Sequence, residues 1–336
     1  MTPHLNSKRH VRRSLLAAAL APSALASAFF APPAVAQAWP ERAITIVMPF
    51  VAGGPTDATF RDLARLLSDE LGQSVVVDNK PGAGAMLGAQ LVARSKPDGY
   101  TLLASVVANM VTNPLLMAKP GFDPLKDFSH VGLVSTNPLL LVASKASGIK
   151  SFADLVQRAK AKPGELSVAS YGHGTPSHLA IELLKSSAKI DLIHVPYNGS
   201  AAAMMDVQGG RVPLLMDILP SHIKTMDNGD VIGLAVGQVK RSDLAPQVPT
   251  FSESGLKQFE ALTWMGLSAP AGTPKAVITR LNQAVQKVSA DTRYRASLYV
   301  RGMPATPSTP EAFEALIRNE TVKWGAVIQA AKIQAN

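Results

Sequence analysis

Three glycine-bearing segments carry the residues best suited to chemistry: Gly53-Gly54-Pro55-Thr56-Asp57, Ser170-Tyr171-Gly172-His173-Gly174-Thr175-Pro176 and Val195-Pro196-Tyr197-Asn198-Gly199-Ser200. Each follows an apolar run of strand length and leads into a helical pattern. Glycine lets the backbone turn sharply and lets a ligand approach it closely. The first turn of the following helix has amides with no acceptor inside the helix, and it carries roughly half a positive charge. Such an end holds an anion without any basic side chain. The sequence fits that chemistry, because no lysine or arginine occurs in residues 47–60, 168–182 or 194–208. Thr56 or Asp57 can cap the first helix, and Thr175 is a good cap with Pro176 at the first helical position. Tyr171 and Tyr197 can wall a small ligand with a ring and bond it with a hydroxyl. The bland alternative is three ordinary capped turns between strands and helices, and one turn alone does not decide between the two.

Other chemistries fit less well. Gly82-Ala83-Gly84-Ala85-Met86-Leu87-Gly88 resembles a variant dinucleotide loop, but Asn79-Lys80-Pro81 separates it from its strand and no acid ends the next strand to hold a ribose. A helix-starting turn with small residues for close packing is the better reading. There is no phosphate-binding loop with its lysine, no G-x-S-x-G elbow and no H-E-x-x-H helix. His173 and His178 have only Glu182 as a neighbouring carboxylate, which is thin for a metal site; His178 is expected to bond locally. Ser177 beside His178 is not a catalytic pair, since adjacent helical side chains diverge. Asp57, Asp206 and Asp217 form no evident acid–base pair. Met204-Met205 and Trp264-Met265 read as packing residues. No cofactor is called for.

The elements that must position these turns follow from periodicity. Apolar runs at 44–49, 74–77 and 101–105 alternate with helical patterns at 56–71 and 85–93, and a second series follows with strands at 139–144, 166–169, 192–195, 212–217 and 231–236. Helices are expected at 152–161, 175–187 and 200–208, and after a strand at 262–268 come helices at 274–288 and from 310 to about 332. In the first helix Phe60, Leu63, Ala64, Leu67 and Leu71 share one face and Gly72 ends it. This alternation predicts largely parallel sheet with helices on both faces. In such sheets ligands bind beyond the carboxyl ends of the strands. The apolar segments 139–143 and 262–269 are expected to cross into and out of an inserted lobe, leaving a cleft between two lobes.

With 336 residues the chain exceeds the size at which one hydrophobic core keeps growing, and 47% apolar against 17% charged residues describes a folded protein. The lack of cysteine excludes disulfides, thiolate metal sites, a cysteine nucleophile and a lipidated cysteine. Lys8, Arg9, Arg12 and Arg13 precede an uncharged stretch that runs to Ala34-Val35-Ala36, a small-x-small cleavage pattern. Residues 1–36 therefore read as an export signal, by the general or the twin-arginine route; its prolines and Ala-rich composition argue against an uncleaved anchor. Without that segment 29 Lys and Arg face 24 Asp and Glu, a net charge of +5. No basic run with interleaved aromatics remains, so a nucleic-acid partner is not expected. A mild positive field favours anionic small molecules.

The motifs Pro49-Phe50-Val51-Ala52-Gly53-Gly54-Pro55-Thr56-Asp57, LGQSVVVDNKPGAGAMLGA, KPDGYTLL, VPYNGSAAAMMDVQGG, MDILPSHI, VPTFSESG and WMGLSAPAGTP occur in this order along the chain. Together they resemble the Bug (TctC-like) family, the periplasmic solute-binding receptors of tripartite tricarboxylate transporters. The resemblance spans nearly everything after the signal. It implies a two-lobed α/β fold of the type II periplasmic-binding-protein (Venus-flytrap) kind, with residues 37–140 and 264–336 in one lobe and 141–263 in the other. It further implies a monomeric, non-enzymatic receptor that binds a small carboxylated solute and hands it to membrane transporter subunits, with no membrane-inserted part after cleavage. Alternatives are a receptor that presents its ligand to the periplasmic domain of a sensor kinase, or an exported α/β hydrolase, for which no nucleophile with a base is evident. Carried over by position, Phe50, Ala52, Gly54, Thr56 and Asp57 contact the ligand from one lobe, and Gly174, Thr175, Tyr197, Ser200 and Asp217 from the other. The chain departs from the family pattern at Thr175, at Met216 and at Ala108-Asn109-Met110-Val111-Thr112, which changes the cleft wall rather than the carboxylate grip.

Overall fold

The computed structural model describes residues 39–301 and 303–334, so the expected export signal lies outside the described residues. The chain divides into two units, Met1–Glu41 and Arg42–Asn336, and the elements below all belong to the second. In chain order they are β1 Ile44–Met48, α1 Pro55–Leu71, β2 Val75–Asn79, α2 Met86–Ala93, β3 Thr101–Val106, α3 Asn113–Leu116, β4 Phe128–Ser144, α4 Phe152–Ala161, β5 Ser167–Ser170 and α5 Pro176–Ala188. There follow β6 Ile193–Pro196, α6 Ser200–Gln208, β7 Leu214–Ile218, α7 Ile223–Asp227, β8 Val231–Val236, β9 Leu262–Pro270, α8 Lys275–Ala290, α9 Thr292–Val300 and α10 Pro310–Ala331.

The strands run in the order β2-β1-β3-β9-β4-β7-β5-β6, with β8 also paired to β4. Parallel pairing holds in the outer parts, β1 with β2 and β3, and β5 with β6 and β7. The centre is antiparallel: β9 pairs with β3 and β4, and β4 pairs with β7 and β8. The expectation of a two-lobed α/β fold holds, with the sheet more mixed than the alternation alone predicted.

The 17-residue β4 joins the two halves. Its first part, up to Pro138, pairs with β9; its last part, from Leu139, pairs with β7 and β8. Pro138 stands at the exchange of partners, where a residue without an amide proton costs least in ladder hydrogen bonds. On the sequence that proline reads as a break, which is why only the second half of this strand was expected.

Helices cover the sheet as their apolar faces require. α1 buries Phe60, Leu63, Ala64, Leu67 and Leu71, and packs against β2 and α8. Gly72 ends it in the left-handed conformation at φ 68°, its amide closing on the Ser68 carbonyl at 3.0 Å. α10 buries Phe313, Ile317 and Trp324, and packs against both β4 and α5. Among the described residues one apolar cluster includes Leu141, Trp264, Phe313 and Trp324, and another includes Leu140, Val142, Met204, Leu215 and Val236. Adjacent residues of β4 thus feed opposite faces of the sheet, as the two-residue period of a strand demands. α9 was not expected; of its residues Tyr294 and Leu298 are buried, two positions among charged neighbours that give little periodic signal.

Candidate ligand-binding cleft

A cleft of about 320 Å³ opens beyond the carboxyl ends of β1, β3 and β7. Thr56 in the first turn of α1, Pro176 at the start of α5 and Ser200 at the start of α6 all line it. The three helix starts singled out by their glycines therefore meet at one cavity. Its remaining wall includes Phe50 after β1, Val106 to Ala108 at the end of β3, Asn137 on β4 and Thr263 to Met265 on β9. Tyr171, Asp217, Ile218 and Met303 complete it. Among these lining residues there is no lysine or arginine. A larger cavity of about 710 Å³ lies between the Ala83–Ala85 turn, residues 113–119 and His173-Gly174. Of the three glycine-bearing turns only the second reaches it, through His173-Gly174, so size is the weaker guide to the ligand site.

Four of the ten residues carried over by position, Phe50, Thr56, Ser200 and Asp217, line the cleft. The other six do not; five of them have a structural task close by, and Ala52 is exposed. Gly54 is the N-cap of α1, with no side-chain cap bond from Thr56 or Asp57. Asp57 is buried at 2% exposure and turns inward: its Oδ2 accepts the Gly53 amide at 2.9 Å and the Arg61 Nε at 2.8 Å, and its Oδ1 accepts the Asn79 amide group at 2.9 Å. Burial pushes its pKa up, but these bonds, the Arg61 bond first, outweigh it and hold the carboxyl down at about 2. Ala52 is exposed at the tip of the same turn. Gly53, at φ 90°, takes a conformation that side chains rarely adopt.

In the second turn Thr175 caps α5, donating its hydroxyl to the Gly172 carbonyl at 2.7 Å and accepting the His178 amide. Gly174 donates to Nδ1 of His178 at 3.1 Å and borders the larger cavity. His178 does bond locally, and its ring stacks on His194 at 3.9 Å between centroids. Burial, reinforced by the neighbouring imidazoles of His194 and His173, lowers its pKa to about 3. No group of three or more His, Cys, Asp or Glu among the described residues could hold a metal ion. Tyr197 donates its hydroxyl to Asp206 at 2.7 Å and is occupied in bracing α6. Tyr171 does line the cleft; burial and then the charge of Asp217 raise its pKa, so it presents a neutral phenol.

Asp217 forms the polar end of the wall. It is fully buried, its Oδ1 accepts the Ile218 amide at 2.7 Å, and its Oδ2 lies 2.8 Å from Nε2 of His222, itself 2% exposed. Trp264 was expected to pack, and its ring meets Phe313 edge-on at 5.2 Å; it also lines the cleft, and its buried indole N–H has no hydrogen-bond partner. Val106, Val107 and Met303 escaped the sequence reading. The only signal for the valines was their place at the end of a strand in an open sheet, and Met303 had none. Residues 108–112 form a π-helical turn directly after β3, a rare local form often found beside functional sites.

The arrangement can hold an anion by amides and hydroxyls at the starts of α1 and α6, while the start of α5, where Pro176 has no N–H, adds only the positive end of its dipole. It offers no nucleophile paired with a base on the cleft wall. Comparison with known proteins agrees. Residues 59–333 match the family described as "Tripartite tricarboxylate transporter family receptor". Protein BugT of Bordetella pertussis is 34% identical over 308 residues, covering 91% of this chain and 94% of its own. The solved structure of R. palustris Rpa4515 with adipate is 34% identical with a TM-score of 0.73, covering 88% of this chain and 99% of that one. MatC from Rhodopseudomonas palustris with bound malate is 31% identical with a TM-score of 0.70, covering 86% and 99%. The family consists of solute-binding receptors rather than enzymes, and the resemblance read from the motifs holds: this chain belongs to the tripartite tricarboxylate transporter receptor family.

Proposed function

We propose that this protein is a periplasmic receptor that binds a small carboxylated organic solute in the 320 Å³ cleft and delivers it to a transporter of the tripartite tricarboxylate type. The observation that carries the reading is the convergence of Thr56, Pro176 and Ser200, three helix starts from distant parts of the chain, on one cavity without a cationic side chain. Amides at Thr56 and Ser200 neutralise a carboxylate by hydrogen bonds, and the positive ends of three helix dipoles add to them. The adipate and malate held by the two solved relatives support the ligand class.

In this reading residues 1–36 direct export, through the general or the twin-arginine route. No helix among the described residues is long and apolar enough to cross a membrane. One lobe comprises 37–140 and 264–336 and the other 141–263; the exchange of partners within β4 at Pro138 and Leu139 supports those limits. Phe50, Thr56, Ser200 and Asp217 contact the solute together with Tyr171. Gly54, Asp57, Gly174, Thr175 and Tyr197 hold the turns in shape, and Ala52 lies exposed at the tip of the first. The receptor acts as a monomer without turning its ligand over, and closure of the lobes on the solute is the state its membrane partner reads.

A thermal-shift and calorimetric screen of the purified protein against organic acids tests the proposal. A cognate acid at about 100 times its Kd adds about 2.7 kcal/mol to stability. One-to-one binding with unaltered ligand after long incubation is expected; a panel of mono-, di- and tricarboxylates without a single binder overturns the reading.

A further inference from the structure

β1 and β3 are parallel neighbours only as far as Val47 and Leu103, although β3 keeps its pairing with β9 through to Val106. The phase of the ladder is fixed by Thr45, whose amide donates to the Tyr100 carbonyl at 2.8 Å. In a parallel ladder a residue that faces the partner strand bonds to the two residues flanking its register mate. Val47 is matched with Leu103, so two residues further on Pro49 would stand opposite Ser105. Its N–H would then be due at the Ala104 carbonyl and its carbonyl at the Val106 amide. Proline has no N–H to give. β1 ends at Met48, and the chain turns off into the Phe50–Gly53 segment.

Asn109 makes both of the missing bonds. It is fully buried; its Nδ2 donates to the Ala104 carbonyl at 3.2 Å and its Oδ1 accepts the Val106 amide at 2.8 Å. One partner is an acceptor and the other a donor, so a single orientation of the carboxamide satisfies them. The π-helical turn at 108–112 brings this side chain back under the end of β3. By itself the bond to Val106 is half of a capping box, in which a side chain reaches back three residues to an amide. The bond to Ala104 is no part of that motif, and it completes the pattern of a neighbouring strand.

The exchange of a strand for a side chain has a consequence for the cleft. Paired strands lie about 4.8 Å apart, which leaves no room for a solute between them. Phe50, beyond the end of β1, and Val106 to Ala108, at the end of β3, both line the cleft. Asn79 of β2 holds the departing chain on the side away from β3, its Nδ2 donating to the Phe50 carbonyl at 2.9 Å.

We propose that Asn109 is a positioning residue for ligand binding. Its carboxamide stands in for the strand residue that Pro49 cannot be, and so lets the chain after β1 part from β3 and leave this end of the cleft open. The link to binding rests on the reading of the cleft as the solute site.

Hydrogen exchange, thermal unfolding and calorimetry of Asn109→Ala, Pro49→Ala and the double variant test this. In Asn109→Ala the Val106 amide is expected to exchange about tenfold faster than in the wild type, and adipate affinity to fall about tenfold. Pro49→Ala restores an N–H at position 49. In the Asn109→Ala background it is expected to raise the thermal midpoint by about 2 °C or more and to slow Val106 exchange again, because β1 can pair on along β3. Adipate affinity should stay low there, since the strands no longer part. In the wild-type background the same change should bring no gain in midpoint. Unchanged Val106 exchange in Asn109→Ala overturns the stand-in role. Affinity that returns together with stability in the double variant overturns the positioning role. If Asn109→Ala does not fold, a double variant that folds supports the stand-in and one that does not overturns it. Where adipate does not bind the wild type, the tightest acid of the panel replaces it; if none binds, the carboxylate reading fails, and Val106 exchange still decides whether Asn109 replaces a strand.

Discussion

Asp57 Oδ2 accepts the backbone amide of Gly53 at 2.9 Å, so a carboxylate in the first turn of α1 clamps the glycine turn that leads into that helix. The same oxygen accepts Arg61 Nε one helical turn later. A buried carboxylate that lies one residue from the cleft-lining Thr56 thus serves the shape of the turn. Asp57→Ala removes the two oxygens that accept three hydrogen bonds and is expected to cost about 1–3 kcal/mol in urea unfolding. Because the folded pKa is held near 2, the stability it contributes is present above the ordinary carboxylate range, near pH 4, and is lost as pH falls towards 2. Comparing wild type and Asp57→Asn between pH 5 and 2 checks this: the wild type should lose more stability across that interval.

Ser200 is the first residue of α6, a position that tolerates proline because its amide lies outside the helical ladder. Ser200→Pro removes one amide donor and one hydroxyl from the cleft without breaking the helix; Ser200→Ala removes the hydroxyl alone. A hydrogen bond to a charged group is worth about 1.5–3 kcal/mol, so Ser200→Pro should weaken ligand binding by roughly tenfold or more, and by more than Ser200→Ala. Calorimetry with a bound acid measures the order. Wild-type affinity in both variants would remove α6 from the site.

The pKa values of His178 and His194 lie well below the usual imidazole range, at about 3 and about 4, chiefly because His178 is buried and His194 partly so, and because the neighbouring imidazoles oppose a further positive charge. Unfolded, they take up protons near 6.5. Between about pH 6.5 and 4 the unfolded chain therefore binds more protons, and stability falls as the solution is acidified, by up to about 1.4 kcal/mol per pH unit for each ring. Protonation of His178 at Nδ1 also expels the Gly174 amide that it accepts. His178→Asn keeps an acceptor without the titration. It should flatten the pH dependence of the thermal midpoint over that window, and an undiminished slope would contradict this account.

His222 supplies one of the two donors that hold the charge of Asp217 inside the wall. His222→Ala leaves a buried carboxyl group with the Ile218 amide alone, and loss of one hydrogen-bond partner from a buried polar group costs about 1–3 kcal/mol. His222→Ala with Asp217→Asn should recover much of that loss, because no unpaired charge remains. Thermal unfolding of the single and double variants measures the coupling; strictly additive losses would show that the pair does not act as a unit.

Much of the fold was legible in advance because burial imposes a period. The 3.6-residue recurrence in α1, the apolar runs of β1, β3 and β8, the capped start of α5 and the glycine turn before α6 are local signals that the structure keeps to within about two residues. Strand direction was less legible: β9 runs antiparallel to β3 and β4, and nothing in its own residues states that. Pro138 hid the first half of β4, since a proline inside a strand is tolerated only where the neighbours change, and the neighbours are not visible in the chain.

The sequence by itself determined that three helices begin at glycine-bearing turns whose own residues include no lysine or arginine, and that alternation of elements and a known set of motifs point to a solute receptor. Those properties are local, set by residue type and spacing. Only the tertiary structure decided which side chains of those turns face the cleft. Successive helical residues point roughly 100° apart, so Thr56 meets the cavity while Asp57 turns inward to Gly53 and Asn79. It also decided that Val107, Trp264 and Met303 stand on the same wall, because long-range packing, not sequence proximity, brings β3, β9 and residue 303 together.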